Sequence, residues 1–121
     1  MLKSIVFDLD DTICWPNHGE KDTYKKYGLA QPNQKVIDYM HRLKQLQFVI
    51  TISSARRMLT HNGNVEKVIE DVGDITIEWL EKHNVPYDHI HFGKPYATSY
   101  YVDDKAMTID SFYEWMEKEW T

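Results

Sequence analysis

Apolar and polar positions alternate between two rhythms along this chain. Ile5, Val6, Phe7 and Leu9 form a short apolar run that reads as a buried strand, broken off at Asp8, Asp10, Asp11 and Thr12. Residues 13–33 hold no sustained period and are punctuated by Pro16, Gly19, Gly28 and Pro32, which predicts an irregular flap. Asn33 then offers an N-cap. Val36, Ile37, Met40, Leu43 and Leu46 follow at helical spacing, predicting a crossover helix that ends near residue 46. Residues 48–52 are a second strand rich in β-branched residues, ending at Ser53, Ser54, Ala55 and Arg56.

The rhythm predicts two further helices between residues 64 and 84. The first is capped by Asn64 and ended by Gly73; the second starts at Asp74 and is stopped by Asn84 and Pro86. Residues 89–92 read as a third strand leading into Gly93 and Lys94. Tyr100, Tyr101 and Val102 read as a fourth strand ending at Asp103 and Asp104, and the expected strand order puts the first strand centrally, between the second and the fourth. Ile109, Phe112, Tyr113, Met116 and Trp120 give the last helix one apolar face. Strands alternating with helices predict an α/β fold with a central parallel sheet and right-handed crossovers.

Chemistry gathers where the strands end, which is where open parallel sheets bind ligands. Asp8 and Asp10 stand two apart on an extended segment and so face one site. Carboxylates packed this closely repel unless a cation joins them, and Mg2+, which takes oxygen ligands, is the simplest partner. Arg56 carries a guanidinium suited to phosphate oxygens. Cys14 reads as a buried thiol, because a cysteine phosphatase has an arginine six positions on and Glu20 stands there. His89 and His91 alternate onto one face with no acidic or cysteine partner at metal spacing and read as surface or packing residues.

The remaining bounds are broad. A length of 121 residues allows one domain, with 13–33 as a flap and no room for a large cap. A net charge of −5 gives no footprint for nucleic acid or an anionic membrane. One cysteine, no apolar run long enough to span a bilayer, and a start that leads straight from Met1 and Leu2 into a strand predict a cytoplasmic protein without a membrane partner. An uncapped site and 13% aromatic residues predict self-association into a homo-oligomer.

The segment Asp8-Leu9-Asp10-Asp11-Thr12 has the form D-x-D-x-T and resembles the first signature of the haloacid dehalogenase (HAD) superfamily of phosphate-handling enzymes. The resemblance implies a three-layer Rossmann-like (HAD-like) fold. It implies that Asp8 is the nucleophile, forming an aspartyl-phosphate, and that Asp10 is the general acid and then the base. A second signature, a Ser or Thr whose hydroxyl and following N–H groups hold phosphoryl oxygens, matches Ser54 with Ala55 and Arg56, and Ser53 competes for the role. Lys94 resembles the third signature, a lysine that neutralises nucleophile and phosphate. Asp103 and Asp104 resemble the fourth, with Asp103 as direct Mg2+ ligand beside Asp8 and the Asp10 carbonyl, and Asp104 acting through water.

A longer series strengthens the likeness: Ser54-Ala55-Arg56-Arg57-Met58, Asn84-Val85-Pro86-Tyr87-Asp88, Gly93-Lys94-Pro95 and Tyr101-Val102-Asp103-Asp104-Lys105 occur in this order. Together they resemble small HAD-like proteins associated with capsular polysaccharide and surface-carbohydrate synthesis. Lys105 stands where arginine is common, and residues 96–100 are fewer than expected. The implied activity is a Mg2+-dependent phosphatase acting on a small-molecule phosphate ester such as a sugar phosphate. Alternatives are a polynucleotide-end or nucleotide phosphatase, an inactive HAD-like binding module, and a receiver domain. The last would need its acceptor Asp where Ser54 stands.

Overall fold

The computed structural model describes residues 3–120, so the start at Met1 and Leu2 lies outside the described residues. Three parallel strands form the main sheet in the order β1 (Ser4–Asp8), β4 (Val49–Ser54), β5 (His89–Phe92). Between β1 and β4 lie β2 (Cys14–Trp15), β3 (Gln31–Pro32) and helix α1 (Gln34–Gln45). Helix α2 (Val65–Lys82) links β4 to β5, and α3 (Ile109–Glu119) follows β5. Register puts Phe7 beside Ile52 and Asp8 beside Ser53, with Ile90 flanking Ile52 on the other side.

Both crossovers step the sheet in the same direction. Right-handed connections that step the same way lay their helices on the same face. Phe7, Leu9, Ile50 and Ile52 accordingly share one core with Ile37, Met40 and Leu43 of α1, Trp79 and Leu80 of α2, and Phe112 and Met116 of α3. Phe112 meets Phe7 edge-on, ring centroids 5.3 Å apart, and Phe48 meets Trp115 and Trp120 in the same way. On the opposite face Val6 is 64% exposed and His89 and His91 are exposed. The fold is therefore a mixed α/β sandwich of two layers among the described residues, where three were expected.

That difference has a definite origin. A third layer needs the chain to return to the far side of β1, and the expected fourth strand would have done so. Instead residues 100–104 are unpaired, with Tyr100 87% and Val102 99% exposed. Among the described residues β1 is consequently an edge strand, not a central one.

Two local expectations also change. Gly73 ends nothing: it is buried within an uninterrupted α2, and Asp74 caps no helix. The continuous apolar face of Val68, Val72, Thr76, Trp79 and Leu80 outweighs the cost of one interior glycine, about 1 kcal/mol. The flap, expected to be irregular, contains the antiparallel pair β2–β3 and one π-helical turn, Tyr24–Gly28. Asn33 ties it down: its Nδ2 donates to the Thr12 carbonyl, and its Oδ1 accepts from the Val36 N–H and the Tyr113 hydroxyl.

Candidate active site

At the carboxyl end of the sheet the chain turns sharply after Leu9. The Leu9 carbonyl accepts from the N–H groups of Thr12, Ile13 and Cys14, and Asp11 adopts a left-handed φ of 65°, which aspartate tolerates better than most side chains. Asp8, Asp10 and Asp11 thereby reach one cavity of about 450 Å3, whose other walls include His18, Tyr27, Arg56, Arg57, Lys94 and Tyr101.

Lys94 Nζ lies 3.6 Å from Asp8 Oδ1 and 4.3 Å from the Tyr101 ring centroid. Gly93 makes this approach possible. Its φ of +111° lets the Gly93 and Lys94 N–H groups both donate to the Ser54 carbonyl, each at 3.1 Å, which ties the end of β5 to β4. A Cβ at Gly93 would come within 2.9 Å of Val65 Cγ2. Gly93→Ala is expected to cost about 1–3 kcal/mol, read by urea unfolding, from strain plus that clash.

Asp8 is half-buried, and burial raises its carboxyl above the ordinary range. Lys94 and the Leu9 N–H pull it back down in part, and Asp10 pushes it up. Asp10 is held differently. Arg56 Nη2 donates to its Oδ1 at 2.6 Å and Arg56 Nε to its Oδ2 at 3.1 Å. The same guanidinium donates through Nη1 to Thr76 Oγ1 at 2.8 Å and lies 4.2 Å over the Tyr27 ring. Burial pulls Arg56 down, but the bonds and charge of Asp10 outweigh it and keep the group above its ordinary value. Arg56 is thus a buried clamp on Asp10. The role expected for it, contact with phosphate, does not match its geometry, because Asp10 takes its Nε and Nη2 and Thr76 its Nη1.

Ser54 departs from expectation in a similar way. Its side chain is buried on the core face, and its hydroxyl accepts from the Arg56 N–H at 3.0 Å. Ser53 alternates onto the face of Asp8 and is its register neighbour. Ala55 lines the cavity. Cys14 is buried beside Asp10, and burial, with Asp10 adding, pushes its thiol far above the ordinary value, so it is inert.

Asp103 and Asp104 do not join the group. They lie in an exposed turn, where Asp103 Oδ1 accepts from the Lys105 N–H at 2.8 Å. That bond, more than any other contact, lowers the Asp103 carboxyl. Among the described residues no three His, Cys, Asp or Glu side chains are placed to hold a metal ion. With Asp103 and Asp104 outside the cavity, the residues expected to hold Mg2+, the carboxylates of Asp8 and Asp103 with the Asp10 carbonyl, are not gathered within one chain among the described residues.

Residues not foreseen complete the walls. Tyr27, from the π-helical turn, supports both Arg56 and Arg57 with its ring, and burial raises its phenol. Arg57, at a left-handed φ of 60°, turns away from its neighbour into the cavity wall. Among the described residues its buried Nε has no hydrogen-bond partner, and Asp71 stands 3.8 Å off. His18 reaches the cavity and pairs with Asp11 at 2.9 Å, whereas Trp15 and Asn17 of the same segment are not among the lining residues.

A crystal structure of an MCSG target from Vibrio cholerae matches this chain with a TM-score of 0.80 and 38% sequence identity, covering 92% of this chain and 87% of that one. The chain belongs to the same family as that protein. Within this family the fold is therefore shared over nearly the whole length. A chain of a Pnkp1/Rnl/Hen1 complex has the same fold at lower similarity, with a TM-score of 0.55 and 18% identity. It covers 97% of this chain and 34% of the longer one. No protein-family model and no curated protein matches the sequence. Among the described residues no helix is long and apolar enough to cross a membrane.

Proposed function

We propose that this protein is a HAD-like phosphatase that cleaves a small phosphate monoester through a phosphorylated Asp8. The observation that carries this reading is the pairing of Asp8 with Lys94 at the carboxyl end of a parallel sheet, inside a cavity walled by further cations. An Asp8 carboxylate oxygen attacks phosphorus as the ester P–O bond breaks. Water then attacks the acyl-phosphate, releasing inorganic phosphate and restoring the carboxylate. Lys94 and Arg57 supply positive charge for the phosphoryl oxygens, with Ser53 as the hydroxyl on Asp8's side. Asp10 is the proposed proton carrier, and for that step one of its oxygens must leave Arg56.

A volume of about 450 Å3 suits a metabolite the size of a sugar phosphate. The resemblance to proteins of surface-carbohydrate synthesis points to the same substrate class, in a cytoplasmic setting. Mg2+ remains the proposed cofactor only for an assembly that brings a further carboxylate to Asp8, and no step above is routed through it. The test is phosphate release across sugar phosphates, nucleotides and a 5′- or 3′-phosphorylated oligonucleotide, each with Mg2+ and with excess EDTA. Release from a sugar phosphate, lost in EDTA, is expected. Preference for the oligonucleotide would replace the substrate class, and no release from any ester would favour a binding module.

A further inference from the structure

Three features of the structure belong together. β1 is hydrogen-bonded on one edge only among the described residues, and Val6 at its middle is exposed. Tyr100, Tyr101, Val102 and Asp103 have the apolar, β-branched and aromatic character of a strand, yet among the described residues they pair with no strand, Tyr101 meeting only Lys94, Pro95 and Ala97 of the preceding turn, and Val102 is almost wholly exposed. The carboxylates of Asp103 and Asp104 lie outside a cavity that lacks a third acid free to act with Asp8.

The segment cannot mend this within its own chain. Bringing Asp103 to the carboxyl end of β1 requires it to run parallel to β1. Its start must then lie at the amino end of the sheet, beyond β4 and β1 from where β5 stops. Only residues 93–99 separate β5 from Tyr100, whereas a parallel crossover needs roughly a dozen residues or more. An antiparallel run would be short enough, but it would carry Asp103 away from Asp8.

The geometry points to a second copy of this chain as the occupant. Residues 100–120 exchange reciprocally, so that each copy lays 100–103 along the free edge of its partner's β1 and follows it with α3. The course of α3 agrees. Its first turns bond to Asn33 near the carboxyl end of the sheet, and Trp120 at its far end meets Phe48 and the Lys3 ammonium at the amino end. A strand finishing at Asp103 beside Asp8 therefore leads into α3 through residues 104–108 alone. Alternation fits as well. With Asp103 beside Asp8, Val102 lies beside Phe7 on the core face and Tyr101 covers Val6. Exchange of an identical element is a low-cost route to a two-fold dimer, and a short connection favours it. Each site is then shared, with Asp103 supplied in trans. This rests on the proposed function only for what the shared site does.

The test is a disulfide between Val6→Cys and Tyr101→Cys, both at exposed positions, with the inert Cys14 retained. Mild oxidation is expected to give a covalent dimer on a non-reducing gel, from the double variant and from the two single variants unfolded and refolded together. Light scattering is expected to show a dimer before oxidation. A disulfide closed within one chain, no disulfide at all, or a monomeric wild-type protein would overturn the exchange. Cross-linking does not depend on catalysis, so a cross-linked dimer that hydrolyses no ester keeps the exchange and rejects the phosphatase. In an active protein, Asp8→Asn and Asp103→Asn refolded together should regain activity that neither has alone.

Discussion

Asp8→Asn should abolish phosphate release, by roughly 10⁴-fold or more, while leaving the fold more stable at neutral pH. The first effect follows from the role assigned to Asp8. An amide oxygen is too weak a nucleophile toward phosphorus, and among the described residues no other carboxylate reaches the Lys94 ammonium in its place. The second follows from burial, which raises the Asp8 carboxyl above its unfolded value. A raised acid opposes folding once it ionises. Well below the unfolded value, near 3.8, both states hold the proton and there is no penalty. The penalty grows as pH rises from there through the higher folded value, and it is constant above that. The asparagine variant escapes it, so its gain in melting temperature should be present at pH 7 and vanish toward pH 3. Paired melts at the two pH values, without divalent cations, measure this. An inactive variant that is also less stable at pH 7 would mean that the loss of activity reports misfolding.

Arg56→Met should destabilise the protein by about 3 kcal/mol, at the lower end of the range for removing one partner of a buried ion pair. Asp10 keeps part of its surface in water, which moderates the cost. For a domain of this size that is roughly 10–15 °C in melting temperature. The variant also removes the donor to Thr76 Oγ1 and one of the two guanidinium groups over the Tyr27 ring. Adding Asp10→Asn should recover part of the loss, since the stranded charge is then gone. Were Arg56 a phosphate ligand instead, the melt would hardly move and only the affinity for substrate would fall.

The sequence disclosed the parts of this fold that depend on local pattern. The apolar runs of β1, β4 and β5 are strands, and the Asn33 and Asn64 side chains cap α1 and α2 as their positions suggest. What it did not disclose depends on partners distant along the chain. Arg56 looks like a phosphate ligand until Thr76, twenty residues on, and Asp10 are seen to hold it. Its neighbour Arg57, which also reaches the cavity, stands 3.8 Å from Asp71, again a partner distant along the chain. Tyr27 had no signal, lying in a segment without period. Residues 100–104 are a different case. Their pattern reads as strand-forming, yet among the described residues they form no strand; the short connection from β5 was visible in the sequence, and the open edge of β1 was not.

The most direct measurement is acid quenching of the wild-type protein during turnover of an aryl phosphate, followed by peptide mapping of the phosphorylated residue. One acid-stable, base-labile phosphoryl group is expected, on the peptide containing Asp8 and absent from Asp8→Asn. A phosphoryl group on Ser53, His18 or any other residue, or phosphate release by Asp8→Asn at the wild-type rate, would contradict the role assigned to Asp8.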